Sequence, residues 1–172
     1  MSGARVAVAA LALSAAGLVA IVANEGYTNT AIQPVPGDRW TYGFGSTVRA
    51  DGKRVQPGDR IDPPRALRLA VKHIAGDEQV LRACFGELTL LYQHEWDAYV
   101  DTGNTTGPGA ICNSSIPRKV RAGRYEDACR TILDFKKVQG RDCSLPENQS
   151  FCGGIWTRRQ KMAHLCLTGE RQ

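Results

Sequence analysis

Glu25 is the carboxylate whose setting most suggests chemistry. It follows residues 6–23, an uncharged stretch, within Asn24-Glu25-Gly26-Tyr27. An apolar surround disfavours the ionised form of a carboxyl group, which suits a general acid. The competing reading is a charge that merely ends a helix. Beyond it lies Thr41-Tyr42-Gly43-Phe44-Gly45, and Asp38 is the one carboxylate between Glu25 and Thr41. Gly43 and Gly45 are too closely spaced for a phosphate-binding fingerprint and read as a tight β-turn. Other chemistries lack their residues. His73, His94 and His164 make no HExxH, no GxSxG elbow is present, and no CxxC occurs. Neither a metal nor a cofactor is expected.

The elements around these residues are legible in part. Residues 6–23 hold eight alanines among 18 residues. As a helix they would span about 27 Å, near the ~30 Å of a bilayer core. Alanine buries little area, so insertion would be weak. A cleaved signal peptide, a permanent anchor and an anchor that later leaves the bilayer all compete. Ile21 fits a cleavage site poorly, and cleavage after Ala23 would strip Glu25 of its support. The releasable anchor is the favoured reading.

From 26 to 60 the chain is rich in Gly, Pro, Thr and Asp. A turn is expected over residues 34–38, a strand within 40–48, an Asp51-Gly52 hairpin and a return strand at 53–55. Asp62 before Pro63-Pro64 predicts a helix start. That helix is expected to break or kink at Gly76-Asp77. Short helices are then expected at 96–100, 116–123, 125–135 and 155–167, with loops at 102–109 and 136–152. The 136–152 loop is expected to be pinned by Cys143 and Cys152.

A chain of 172 residues with 22 basic and 17 acidic side chains, net +5, supports one core and favours anionic partners. No Lys/Arg block is long enough to argue for nucleic acid. All six cysteines lie at or beyond Cys84. Behind an apolar N-terminus they point to an oxidising compartment and up to three disulfides. Fifteen pairings are open, and buried free thiols are the alternative.

Glu25-Gly26 followed by Thr41-Tyr42-Gly43-Phe44-Gly45 resembles the catalytic signature of phage lysozymes of the T-even and lambdoid type. The stretch from Gly103 through Ala110, Ser114, Arg118-Lys119-Val120 and Ala122 to Cys129 resembles the family's centre. Gly153-Gly154-Ile155-Trp156-Thr157-Arg158-Arg159 to Cys166 resembles its last helix. The blocks keep the family's order over residues 24–167.

The resemblance implies a two-lobed α+β fold. A signal-anchor-release segment would occupy 1–23 and the catalytic domain 24–172. Within that domain, a small lobe would cover 24–60, a linking helix would start near 62, and a helical lobe would run over 85–172. It also implies cleavage of the β-1,4 bond between N-acetylmuramic acid and N-acetylglucosamine of peptidoglycan. The chain is then expected to be exported, tethered to the inner membrane and released into the periplasm as a monomer. Glu25 would be the acid, Thr41 would position water, Asp38 would serve as base or charge stabiliser, and Arg158 would match a supporting arginine. The family's aspartate falls at Pro34 here, and its histidine after the turn is Ser46. An inverting hydrolase needs a base across the sugar, so a lytic transglycosylase giving 1,6-anhydro products is the alternative. An inactive peptidoglycan-binding relative is a further one.

Overall fold

Residues 6–23 do not form one helix in the computed structural model, which describes residues 4–34 and 37–172. They split into strand β1 (Val6–Ala7), a 3-10 turn (Val8–Ala10) and the end-on part of helix α1 (Ala15–Glu25). Among the described residues no helix is long and apolar enough to cross a membrane. The break divides the chain's two compact units. One holds the residues up to Ser14 together with Asp77–Gln172, and the other is Ala15–Gly76.

The Ala15–Gly76 unit begins with α1, of which Gly17 and Ile21 are buried. Strand β2 (Thr28–Ile32) then pairs antiparallel with β3 (Thr41–Gly43), in the register Thr28 to Gly43 and Ile32 to Thr41. Four residues along β2 thus oppose two along β3, a bulge. The displaced backbone is satisfied elsewhere. Ala31 N–H donates to the Asp59 carbonyl at 2.9 Å, and Ile61 N–H donates to the Asn29 carbonyl at 3.0 Å. The expected Asp51-Gly52 turn is present, with a Val48–Arg54 bridge and the Asp51 carboxylate accepting the Lys53 N–H at 3.0 Å. The 34–38 turn lies partly outside the described residues, since Val35 and Pro36 are not among them. Ala31, Tyr42, Val55, Ile61 and Ala66 make this unit's core.

Helix α2 (Pro63–Phe85) starts as Asp62 predicts, with that carboxylate accepting the Arg65 N–H at 2.8 Å. It runs unbroken through Gly76-Asp77, where a kink was expected. A lone helical glycine costs only about 1 kcal/mol, and Ile74, Leu81 and Phe85 are buried along the helix.

In the other unit, strand β4 (Leu90–Leu91) receives β1, antiparallel. Helix α3 (Gln93–Thr106) follows, buried without interruption from Glu95 to Gly103. It packs against α4 (Pro108–Cys112) and α7 (Gln149–Thr168). The glycine- and threonine-rich run read as a loop at 102–109 is therefore mostly helix. A side-chain carbon on Gly103 would lie 3.5 Å from Leu81 Cδ1, so the glycine permits close packing. The Thr102 and Thr106 hydroxyls bond back to carbonyls one turn earlier, at 2.8 and 2.7 Å. Gly107, with φ +82°, ends the helix.

Helices α5 (Ile116–Arg121) and α6 (Tyr125–Arg130) come next, α6 passing into a 3-10 turn (Thr131–Asp134) where one helix to 135 was expected. Helix α7 begins six residues earlier than expected, across non-helical backbone at Cys152. All six cysteines are paired, as Cys84–Cys112, Cys129–Cys166 and Cys143–Cys152.

A helix buried on all sides must satisfy its polar residues, and α3 carries three carboxylates. Glu95, 2% exposed, receives the Arg5 fork at 2.8 and 3.2 Å and the Tyr92 N–H at 2.7 Å. Arg5 itself lies 4.2 Å from the Tyr92 ring centre and 3.5 Å from that of Tyr125. Asp97 receives the Ser14 N–H at 2.9 Å, the Ser14 hydroxyl, and Arg171 at 2.8 Å. Asp101 receives Arg158. Beside them Glu78 of α2 accepts the Leu13 N–H at 2.8 Å and the Trp96 indole N–H at 2.9 Å. The N-terminal arm is thus held by polar bonds as well as by buried Val8 and Leu11.

Removing Arg5 leaves Glu95 buried with a backbone donor only. Arg5→Ala is expected to lower unfolding free energy by about 2–3 kcal/mol, since the pair is only partly desolvated, read by urea denaturation. Burial holds the His94 imidazole below its ordinary value, against Glu95 and Asp97 and with Arg5. The unfolded chain therefore takes up this proton first as pH falls. Stability contributed by neutral His94 is full above about 6.5 and lost below it. The melting temperature should fall between neutral and mildly acidic pH, and His94→Gln should flatten that slope.

Candidate active site

The Thr41–Gly45 turn is built by two glycines that no other residue can replace without strain. Tyr42 and Ser46 exchange backbone bonds at 3.1 and 3.0 Å across Gly43-Phe44-Gly45. Gly43 and Gly45 take φ +61° and +74°, the left-handed region that favours glycine. At Gly43 a side-chain carbon would lie 2.8 Å from Ala66 Cβ, so the turn presses on α2. Strand alternation then sends Tyr42, 4% exposed, into the core, and Thr41 toward the other face.

Glu25 ends α1, and its carboxylate lies over this turn: a side-chain carbon on Gly45 would sit 3.5 Å from Glu25 Oε2. The fold thus brings Glu25 to the glycine turn, across an interval that contains the bulged β2. Glu25 is exposed, so the neighbouring apolar segment does not enclose it. The Thr41 hydroxyl has only a long contact to the Ile32 carbonyl, 3.5 Å, which leaves it available to another acceptor. Asp38 lies in the exposed turn before Thr41, its backbone carbonyl accepting the Gln33 amide at 2.8 Å. Ser46 bonds the Val48 carbonyl at 2.7 Å and braces the hairpin. Tyr27, next to the glutamate, packs on Phe44 with ring centres 5.6 Å apart and bonds the Ile61 carbonyl at 2.8 Å.

Arg158 belongs to the other unit. Asp101 grips it through two bonds, Nε at 2.9 Å and Nη2 at 3.2 Å, so its fork is fixed in orientation. Sequence reasoning missed Asp101. The signal was available, since Asp97 and Asp101 stand one helical turn apart within an apolar run. It also missed Arg159, 1% exposed, which donates to the Phe135 carbonyl at 3.1 Å and Thr105 Oγ1 at 2.7 Å. Burial pulls this guanidinium down to about 10, with Asp101 raising it and Arg158 lowering it further. Its Nη1 has no hydrogen-bond partner. Arg159 lines a cavity of about 430 Å3 with Thr105, Thr106, Phe135, Lys137 and Ile155. Among the described residues no three His, Cys, Asp or Glu side chains are placed to hold a metal ion.

Three comparisons bear on this arrangement. The family described as phage lysozyme matches residues 22–161. A protein named SAR-endolysin from Escherichia phage 933W is 30% identical over 169 residues, covering 92% of this chain and 91% of its own. Among solved structures, a P22 lysozyme mutant superposes with a TM-score of 0.74 at 21% identity, covering 92% of this chain and 99% of its own. The active form of the P1 phage endolysin Lyz superposes with a TM-score of 0.73 at 23% identity, covering 98% and 97%. The two-lobed lysozyme-like α+β fold expected from the sequence is the fold of these structures.

The glycines give an internally controlled test. Gly43→Ala combines a forbidden contact with left-handed backbone and should cost about 2–4 kcal/mol. Gly52, with φ +81°, has nothing within 4 Å of an added carbon. Gly52→Ala should therefore cost only about 1 kcal/mol, and thermal denaturation of both variants measures the difference.

Proposed function

The chain belongs to the phage lysozyme family, and on that premise we propose that it is a phage endolysin that cuts host peptidoglycan by acid catalysis from Glu25. The bond is the β-1,4 link between N-acetylmuramic acid and N-acetylglucosamine. The observation that carries this reading is the Glu25 carboxylate lying over Gly45 of the Thr-x-Gly-x-Gly turn. Glu25 protonates the glycosidic oxygen as the bond to the anomeric carbon breaks. Water held by the Thr41 hydroxyl then adds to that carbon, and Asp38 takes the water's proton or balances the developing positive charge. Arg158, oriented by Asp101, is the residue that the family resemblance matches to a supporting arginine. Thr105, Lys137 and Arg159 line a cavity of the helical unit.

A second reading, lytic transglycosylase, is favoured by one fact: Pro34 stands where the family's aspartate would be. Attack by the muramic acid's own 6-hydroxyl would replace water, and a single acid/base group suffices.

Export follows from the N-terminal arm. We assign residues 1–23 to a weak membrane tether that is released without cleavage. Two states of this arm are mutually exclusive. With residues 6–23 in a bilayer, Leu13 and Ser14 cannot donate to Glu78 and Asp97. Buried carboxylates then lose partners that each offset a desolvation cost of several kcal/mol. The tethered chain would therefore hold an incompletely satisfied helical unit, and release would complete it.

Three measurements check these assignments. Glu25→Gln should lower the rate of sacculus lysis by about 10²–10⁴-fold, and full activity would remove Glu25 from the role. Mass spectrometry of muropeptides should show reducing ends, whereas 1,6-anhydro ends would select the transglycosylase. Intact mass of the periplasmic protein should retain residues 1–23, and a chain shortened at Ala23 would exclude release without cleavage.

A further inference from the structure

The Ala15–Gly76 unit carries a second concavity that the glycan chemistry does not use. It measures about 570 Å3 and lies between the 49–51 hairpin and the first turns of α2. Five cations line it: Arg49, Arg60, Arg65, Arg68 and Lys72. Neither Glu25, Asp38, Thr41, Gly43 nor Gly45 takes part. Tyr42 lines it, and strand alternation turns Tyr42 away from the face of Thr41. The cavity is therefore distinct from the Glu25 turn.

Its charge is only partly neutralised. Arg49 pairs with Asp51 at 3.6 Å and with Asp59 at 3.5 Å, and Arg65 pairs with Asp62 at 3.3 Å. The Arg49 Nε is buried without a hydrogen bond. Arg60, Arg68 and Lys72 are exposed and form no ion pair among the described residues. Like charges held around one concavity repel, and an anion relieves that repulsion. Arginine forks match phosphate oxygens in paired bonds. Outside the cavity's lining, the same helix adds an apolar element: Leu67 and Val71, one turn apart, are 40% and 44% exposed, and Val71 lies three residues beyond Arg68. Cations flanking exposed aliphatic side chains on one helix form the pattern that lies at a lipid–water interface.

We propose that this cavity docks the phosphate headgroups of an anionic lipid surface, with Leu67 and Val71 entering the headgroup layer. The released chain would then stay at the membrane face through its folded surface rather than through its former tether. The proposal rests on the reading above only for bringing the chain to a membrane, and its vesicle readout does not depend on peptidoglycan cleavage.

The purified full chain is sedimented at low ionic strength with vesicles of phosphatidylglycerol and phosphatidylethanolamine, and separately with phosphatidylcholine vesicles. Binding to the first and not the second is expected. Each cation near such a surface contributes about 1 kcal/mol, roughly fivefold. Arg60→Gln, Arg68→Gln and Lys72→Gln together should therefore weaken binding about a hundredfold. Neutralising Arg130, Lys137 and Lys161, exposed in the other unit, removes the same net charge and should weaken it far less. Equal losses from the two triple variants would reduce the effect to net charge and overturn the site. Equal binding to both vesicle types would assign it to the apolar arm. Binding of inorganic phosphate or of isolated sacculi without vesicle binding would also overturn it. Circular dichroism melts verify each variant's fold. Should the triple variant unfold, Arg68→Gln and Lys72→Gln alone should each cost about fivefold.

Discussion

The carboxylates of α3 set the terms for the unit around them. Glu95, Asp97 and Asp101 sit on a helix with no solvent face, where an unpaired charge would cost several kcal/mol. Each recruits a partner far away in the chain. Arg5 and Ser14 come from the N-terminal arm, Arg171 from the C-terminal end and Arg158 from α7. Glu78 adds Leu13 to the set. The unit is thus closed by its own ends. Three disulfides reinforce that closure; a loop of about thirty residues is worth roughly 3–4 kcal/mol in the chain-entropy view. Two of them, Cys84–Cys112 and Cys129–Cys166, span 28 and 37 residues.

The proposed tether gives residues 6–23 a double character that their composition fits. Alanine is apolar enough to enter a bilayer weakly and small enough to accept either a strand or a short helix in a folded protein. In the folded chain Val8, Leu11 and Ile21 are buried, while Val6 and Val19 stay exposed. Within residues 6–23 the bonds to Glu78 and Asp97 come from the Leu13 and Ser14 backbone N–H groups and the Ser14 hydroxyl, so they demand little of the apolar side chains. The proposed tether and the structural arm can therefore share one sequence. Glu25 closes α1, so the residues that would leave the bilayer also support the proposed acid.

The Glu25 region itself depends on local backbone constraints. Gly43 has to lack a side chain because Ala66 stands against it, and Gly45 because its φ is positive and Glu25 lies over it. The bulge in β2 lets the chain between Glu25 and Thr41 take extra residues, because the Asp59 carbonyl accepts from Ala31 and the Ile61 N–H donates to Asn29, supplying bonds that β3 does not make. Asp38 falls in that altered stretch. A departure from the family's spacing is therefore absorbed in a surface turn, while the placement of Glu25 against the glycine turn is kept.

Much of the fold followed from local signals in the sequence. Asp62-Pro63 announced α2, Asp51-Gly52 its hairpin, and the glycines of 43–45 their turn, because each depends on the conformational preference of one or two residues. The Glu25 and Thr41 signature was legible for the same reason, since type and spacing carry it. Other features were decided by tertiary packing. Residues 102–106 are helical because Leu81 and Ile111 enclose Gly103, and α2 passes Gly76 because burial outweighs one glycine. The disulfide map, the grip of Asp101 on Arg158, the buried Arg159 and the docking of Arg5 on Glu95 join residues dozens of positions apart. No periodicity or motif encodes such pairs. The charged pairs are selected by the cost of leaving a charge unpaired inside a closed core, and the disulfides by which cysteines the fold brings within bonding reach; both exist only once the fold has formed.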